Sequence, residues 1–246
     1  MIEHKTFQNA PITEALLDVR ARLPVQTTLA DLAAFQDHIR DRFPETKERK
    51  FFRADFKLGP EPSALVSASG SDGYFFECSK EKKIVQARLD GFTFNKLKPY
   101  ENWESFRSEA RELWTLYFKI ANPTKVTRIA LRYINRIEVP FPMKDFKEYF
   151  LTSPEVAPEL PQGVAHFFMR LVIPNDDIGA IAVITQTMEE PTADGKLPLI
   201  LDIDVWQKTE YEGENAKMWD EFEKLRIFKN DVFFNTTTDK AKELFE

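Results

Sequence analysis

Hydrophobic and polar positions alternate most regularly between Val126 and Val139. The stretch holds no glycine or proline and is rich in β-branched and aromatic residues, which predicts one long strand. Successive side chains on a strand point to opposite faces. Thr127, Ile129, Leu131, Tyr133, Asn135, Ile137 and Val139 therefore form one face, read as the core face. Val126, Arg128, Ala130, Arg132, Ile134, Arg136 and Glu138 form the other.

The same alternation predicts a first strand over Ala10 to Leu23, with Ala15, Leu17, Val19, Ala21 and Leu23 on one face and Glu14, Asp18, Arg20 and Arg22 on the other. Thr28 and Asp31 resemble a capping box, followed by Leu29, Leu32, Phe35, Ile39 and Phe43 at helical spacing. Arg49 to Leu58 reads as a strand with Phe52, Ala54, Phe56 and Leu58 on one face, and Gly59-Pro60-Glu61-Pro62 as a break. Short strands are expected at Ala64–Ala68, Tyr74–Cys78, Ile84–Leu89 and Phe92–Leu97, with turns at Ser69–Gly73 and Ser79–Lys82. Asn102 caps a helix to about Ile120. Beyond the central strand, a short helix over Met143–Leu151 and an exposed loop over Ser153–Gly163 precede strands at His166–Ile173, Ile178–Met188 and Leu197–Lys208. A long helix carrying Trp219, Phe222, Leu225 and Phe228 follows, then a terminal turn from Asp239 to Phe245.

Each half of the chain thus reads strand, helix, several strands, long helix. Leu89-Asp90 precedes a Trp103-x-x-Phe106 helix start, and Leu201-Asp202 precedes Trp219-x-x-Phe222. The expected fold is α+β, with two pseudo-repeated lobes over residues 1–123 and 124–246, separate or sharing one antiparallel-rich sheet with helices on one face.

Composition narrows the function classes. The chain has 246 residues, 22 of them Phe, which predicts an aromatic-rich core. A net charge of −6 disfavours a globally basic nucleic-acid binder, and 8 glycines disfavour a glycine-cradled nucleotide site. With one cysteine, Cys78, an intramolecular disulfide is excluded. No apolar run reaches bilayer length, so no membrane partner and a cytoplasmic location are expected.

Arg128, Arg132 and Arg136 are the most distinctive polar feature. Arg128 and Arg132 would stand about 13 Å apart, a spacing suited to a phosphate chain or an acidic protein segment, so a protein or a small acidic ligand is the expected partner. The competing reading pairs them with carboxylates on adjacent strands: Asp202 and Asp204, or Glu14 and Asp18. Asp202 and Asp204 also share a strand face, as a short Mg²⁺- or Mn²⁺-binding pair would. No nucleophile, glycine loop or histidine accompanies them, so no resident metal or other cofactor is expected. His4, His38 and His166 are scattered, and Cys78 alternates with Tyr74 and Phe76 as a core thiol would. Phe92, Phe94, Tyr100 and Trp103 stand beside Lys96 and Lys98, an arrangement able to stack nucleic-acid bases or simply to pack a sheet-to-helix corner.

Leu131 to Ile137, Ala10-Pro11-Ile12-Thr13-Glu14-Ala15, Asp90-Gly91-Phe92, Trp103-x-x-Phe106 and Leu201-Asp202-Ile203-Asp204 together resemble a sporadically distributed, uncharacterised prokaryotic protein family of unknown function. The resemblance implies no catalytic residues. Its patchy distribution suggests an accessory of a mobile defence or toxin–immunity cassette. Without a coherent catalytic set, the leading expectation is a non-enzymatic binding protein with a protein partner at the arginine face. The alternatives are a metal-dependent enzyme acting on a phosphorylated or nucleotide substrate through Asp202 and Asp204, and a small-molecule sensor with a pocket between the lobes.

Overall fold

The computed structural model describes residues 7–57, 63–213 and 216–246, with 52–57 and 63–68 as backbone alone. The expected facing of Phe52, Ala54, Phe56 and Leu58, the break at 59–62 and His4 lie outside what is described. In chain order the elements are β1 (Ile12–Arg22), α1 (Leu29–Ala33), α2 (Phe35–Ile39), β2 (Glu45–Lys57), β3 (Ser63–Cys78), β4 (Lys83–Arg88) and β5 (Gly91–Leu97). Then come α3 (Trp103–Ala121), β6 (Lys125–Pro140), a 3₁₀ turn (Phe146–Glu148), β7 (Phe168–Asn175), β8 (Ala180–Met188), β9 (Lys196–Tyr211), α4 (Lys217–Thr236) and α5 (Asp239–Glu243).

The nine strands of the described residues join one antiparallel sheet in the order β2-β3-β4-β5-β1-β6-β9-β8-β7. The alternation of β6 places it at the centre. Leu17 of β1 stands opposite Leu131, and Leu131 stands opposite Val205 of β9. Ala15, Leu17, Val19, Ile129, Leu131, Ile137, Leu201, Ile203 and Val205 are all buried on one face, as alternation requires.

The helices cover that face. Asn102 accepts a hydrogen bond from the Ser105 amide at 2.8 Å and starts α3; Asn122, in the left-handed region at φ 45°, ends it ahead of Pro123. Phe106, Leu113, Trp114 and Tyr117 bury the inner stripe of α3 against Phe92 and Phe94. Met218, Trp219, Phe222 and Leu225 do the same for α4 over β6 and β9. Each fully buried side chain of this size contributes about 1.5–3 kcal/mol by leaving water.

Four local expectations are corrected. The helix expected through Phe43 is two short ones: the Thr28–Asp31 capping box forms, but the Asp37 amide reaches back three residues to Ala34 and tightens the chain. The short strands at Ala64–Ala68 and Tyr74–Cys78 are one continuous β3. Its glycine at 73 marks a close strand approach rather than a turn, since a Cβ there would come within 2.3 Å of the Ala87 carbonyl oxygen. Asp72 beside it is the extra residue of a bulge, opposite Arg49 and Lys50. Met143–Leu151 holds only the 3₁₀ turn, because Phe150 is drawn into a bridge with Thr237. His166 precedes the strand it was expected to start and is exposed.

Among the described residues, no helix is long and apolar enough to cross a membrane.

Candidate functional site

The three arginines of β6 do project from the face away from the helices, but each already holds carboxylates. Arg132 donates from Nε to Asp202 Oδ1 at 2.9 Å and from Nη2 to Asp202 Oδ2 at 2.6 Å, a bidentate fork. Arg128 reaches Asp18 at 3.2 Å and Asp204 at 3.5 Å, and its guanidinium lies 5.2 Å from the centre of the Trp206 ring. Arg136 bonds Glu189 at 3.0 Å and also contacts Glu138. Their side chains remain 28%, 45% and 29% exposed for Arg128, Arg132 and Arg136. The row is therefore a half-exposed lattice of opposite charges in which Asp202 and Asp204 act as counter-ions.

Next to this lattice the charges go deeper. Arg88 is 3% exposed and donates to Asp18 at 2.8 Å, to Asp90 at 2.9 Å and to the Thr93 hydroxyl. Burial pushes the Asp18 carboxyl up, but Arg88, Arg20 and the Thr93 hydrogen bond outweigh it and hold the group below the usual carboxylate range. Asp204 goes the other way, because burial exceeds the pull of Arg128 and Arg132 and raises it. Glu14 pairs with no arginine among the described residues; its carboxylate accepts from Asn95 at 2.7 Å.

Among the described residues, no group of three or more His, Cys, Asp and Glu is placed to hold a metal ion. Cys78 is buried beside the core, and His38 is exposed on α2. Lys96 leaves the aromatic cluster and bonds the Glu81 carbonyl at 2.9 Å, while Phe94, Tyr100 and Trp103 pack around Phe106.

A different site lies on the helix side. A cavity of about 160 Å³ opens between residues 10–12, the start of α3, the Tyr133–Asn135 stretch of β6 and the inner face of α4. Its wall is aromatic: Tyr100, Trp103, Tyr133, Phe233 and Phe234. The Tyr100 and Tyr133 hydroxyls are 2.9 Å apart. Burial raises Tyr100 to about 12 and Tyr133 well above its ordinary value, so both phenols stay protonated. Asn135 is spent on structure, donating to the Leu201 carbonyl at 3.0 Å.

Two cations from α4 enter this wall. Lys229 is half-buried, and its Nζ rests 3.9 Å from the centre of the Tyr133 ring. It makes no hydrogen bond or ion pair with any described residue. Burial, and then the neighbouring Arg226, bring its pKa down to about 7. Arg226 shares Glu223 at 3.4 Å with Arg107 at 3.8 Å and with the Trp103 indole. Of the acidic residues in the wall, Glu101 is paired with Lys96 at 3.3 Å and Glu104 is exposed. The pocket thus combines an aromatic wall, an amine with no counter-ion among the described residues and a second cation one helical turn away.

The helical register held the missed signal. Phe222, Arg226, Lys229 and Phe233 follow one another at steps of four, three and four, which places both basic residues on the apolar stripe. Tyr100 and Trp103 stand beside Lys96 and Lys98 in the sequence, but in the fold they share a pocket wall with Arg226 and Lys229. Compared with protein-family models and with curated proteins, the chain matches neither.

Proposed function

We propose that this chain is a binding protein for a small organic anion with an apolar or aromatic body, held in the pocket between β6, α3 and α4. The observation that carries this reading is Lys229, an amine over an aromatic ring in a cavity, with no counter-ion among the described residues. An anion entering there would supply the missing charge partner, with Arg226 and the N-terminal end of α3 adding favourable field. The size fits a single ring bearing a carboxylate, since an apolar cavity of about 150 Å³ suffices for benzene. The pairing of Arg128, Arg132 and Arg136 with Asp18, Asp202, Asp204, Glu138 and Glu189 favours this pocket over the arginine face. The site also draws on both halves of the chain. A duplicated origin for residues 1–123 and 124–246 is supported by the strand order, in which each half sets its first strand beside its last, β1 by β5 and β6 by β9.

The test is thermal denaturation with benzoate and its uncharged analogue benzamide. At about 100 times the dissociation constant, benzoate is expected to add about 2.7 kcal/mol, or roughly 5–10 °C in Tm for a chain of this size. Lys229→Met should lose most of that shift. Equal shifts from benzamide and benzoate, or an undiminished shift in Lys229→Met, would refute the reading.

A further inference from the structure

We infer that Lys229 captures the carbonyl carbon of a small aldehyde or keto acid as a reversible imine. This rests on the pocket being a site for small organic anions and names the class of ligand it would take. Three observations converge on it. The Lys229 amine makes no hydrogen bond or ion pair with any described residue, so no partner there ties down its lone pair. It stands in an aromatic-walled cavity with a second cation, Arg226, one turn earlier on the same helix face. Apolar surroundings and a neighbouring cation are the two conditions that favour a neutral, nucleophilic lysine, and the lowered pKa of Lys229 agrees with them. Arg226, paired with Glu223 at 3.4 Å through one of its guanidinium nitrogens, keeps further N–H donors for a carboxylate on the same ligand.

The chemistry closes without an added oxidant or reductant. The Nζ lone pair adds to the carbonyl carbon while the π pair of the C=O bond moves to oxygen. One N–H proton passes to that oxygen and gives a carbinolamine. The C–O bond then breaks, the oxygen leaves as water with the second N–H proton, and a C=N bond forms. Amine and carbonyl thus become imine and water. The protonated phenols of Tyr100 and Tyr133, paired at 2.9 Å in the wall, are a donor for the departing oxygen.

The experiment incubates the full chain with 4-carboxybenzaldehyde and cyanoborohydride, which reduces the imine to a stable secondary amine. Intact mass and peptide mapping then locate the label. The expected result is one adduct on the α4 peptide at Lys229, formed at least about tenfold faster than on any other lysine, and slowed by benzoate. Labelling spread over the surface lysines, with Lys229 no faster than the rest, would overturn the inference. Because mapping is done on the unaltered chain, it does not depend on a variant folding. If benzoate stabilises the protein and Lys229 is not labelled, the imine fails and the anion site stands. If Lys229 is not labelled and benzoate does not stabilise the chain, both fail; if Lys229 is labelled selectively and benzoate has no effect, the imine stands and the anion site fails.

Discussion

Replacing Lys229 by methionine should stabilise the protein, and the gain should depend on pH. An unfolded lysine titrates near 10.4, whereas Lys229 in the fold is brought to about 7 by burial and then by Arg226. Below pH 7 both states carry the proton, and the fold bears the cost of an ammonium it solvates less well than water does. Between pH 7 and about 10.4 the unfolded chain binds a proton that the fold does not, so stability rises with pH by up to about 1.4 kcal/mol per unit. Above that range the amine is neutral in both states and the cost is gone. The gap sets a ceiling of about 4–5 kcal/mol. The half-buried side chain and the Tyr133 ring at 3.9 Å lower it, the ring by about 0.5–2 kcal/mol. A gain of about 2 kcal/mol for Lys229→Met at pH 6, or roughly 4–8 °C in Tm, is the working figure. Urea denaturation of both proteins from pH 6 to pH 10.5 measures it, since every other titrating group cancels in the difference. A methionine variant that is less stable at pH 6, or whose difference is flat across that range, would show that the amine is well solvated and remove the basis for the pocket's charge.

Other residues allow sharper structural checks. Asp18→Asn leaves the 3%-exposed Arg88 without its main carboxylate and should cost about 3–5 kcal/mol at pH 7; because the Asp18 carboxyl is held below its ordinary value, the loss should shrink as pH falls below about 4 in a denaturation series. Arg132→Ala breaks a bidentate pair, but one whose arginine is 45% exposed, so denaturant titration should show no more than about 1 kcal/mol. Gly73→Ala drives a Cβ onto the Ala87 carbonyl and should lower stability by about 1–3 kcal/mol, whereas Gly70→Ala, whose Cβ would meet the Phe51 ring at an ordinary 3.4 Å, should stay within about 0.5 kcal/mol.

Alternation made the sheet legible, and helical spacing made α3 and α4 legible, because burial on one face leaves a period in the sequence. The paired arginines were half-legible: same-face carboxylates on β9 and β1 were visible as candidate partners, but strand order decides who meets whom, and it places β1 and β9 on either side of β6. β3 reads as two short strands because Gly70 and Gly73 look alike in sequence whether they turn the chain or admit a neighbouring strand. The pocket was hidden for a different reason. Its parts come from residues 10–12, 100–104, 133–135 and 226–234, and no local pattern joins segments so far apart. Lys229 itself looks like any solvated helix lysine until the register of Phe222 and Phe233 is followed through it.

The position of β1 between β5 and β6 bears on how the chain reaches this state. β1 precedes both of its neighbours, and its two hydrogen-bonding edges are closed by strands that follow much later, with Val19 against Phe92 and Leu17 against Leu131. Loop closure over such separations is paid before either ladder repays it, which places folding among the slow, non-local topologies, on the order of milliseconds to seconds. A β1 strand without its neighbours is an unpaired template with the apolar side chains of Ala15, Leu17 and Val19 along one side. Substitutions that weaken β6 should therefore show themselves as lower soluble yield before they show themselves as lower stability of the finished fold.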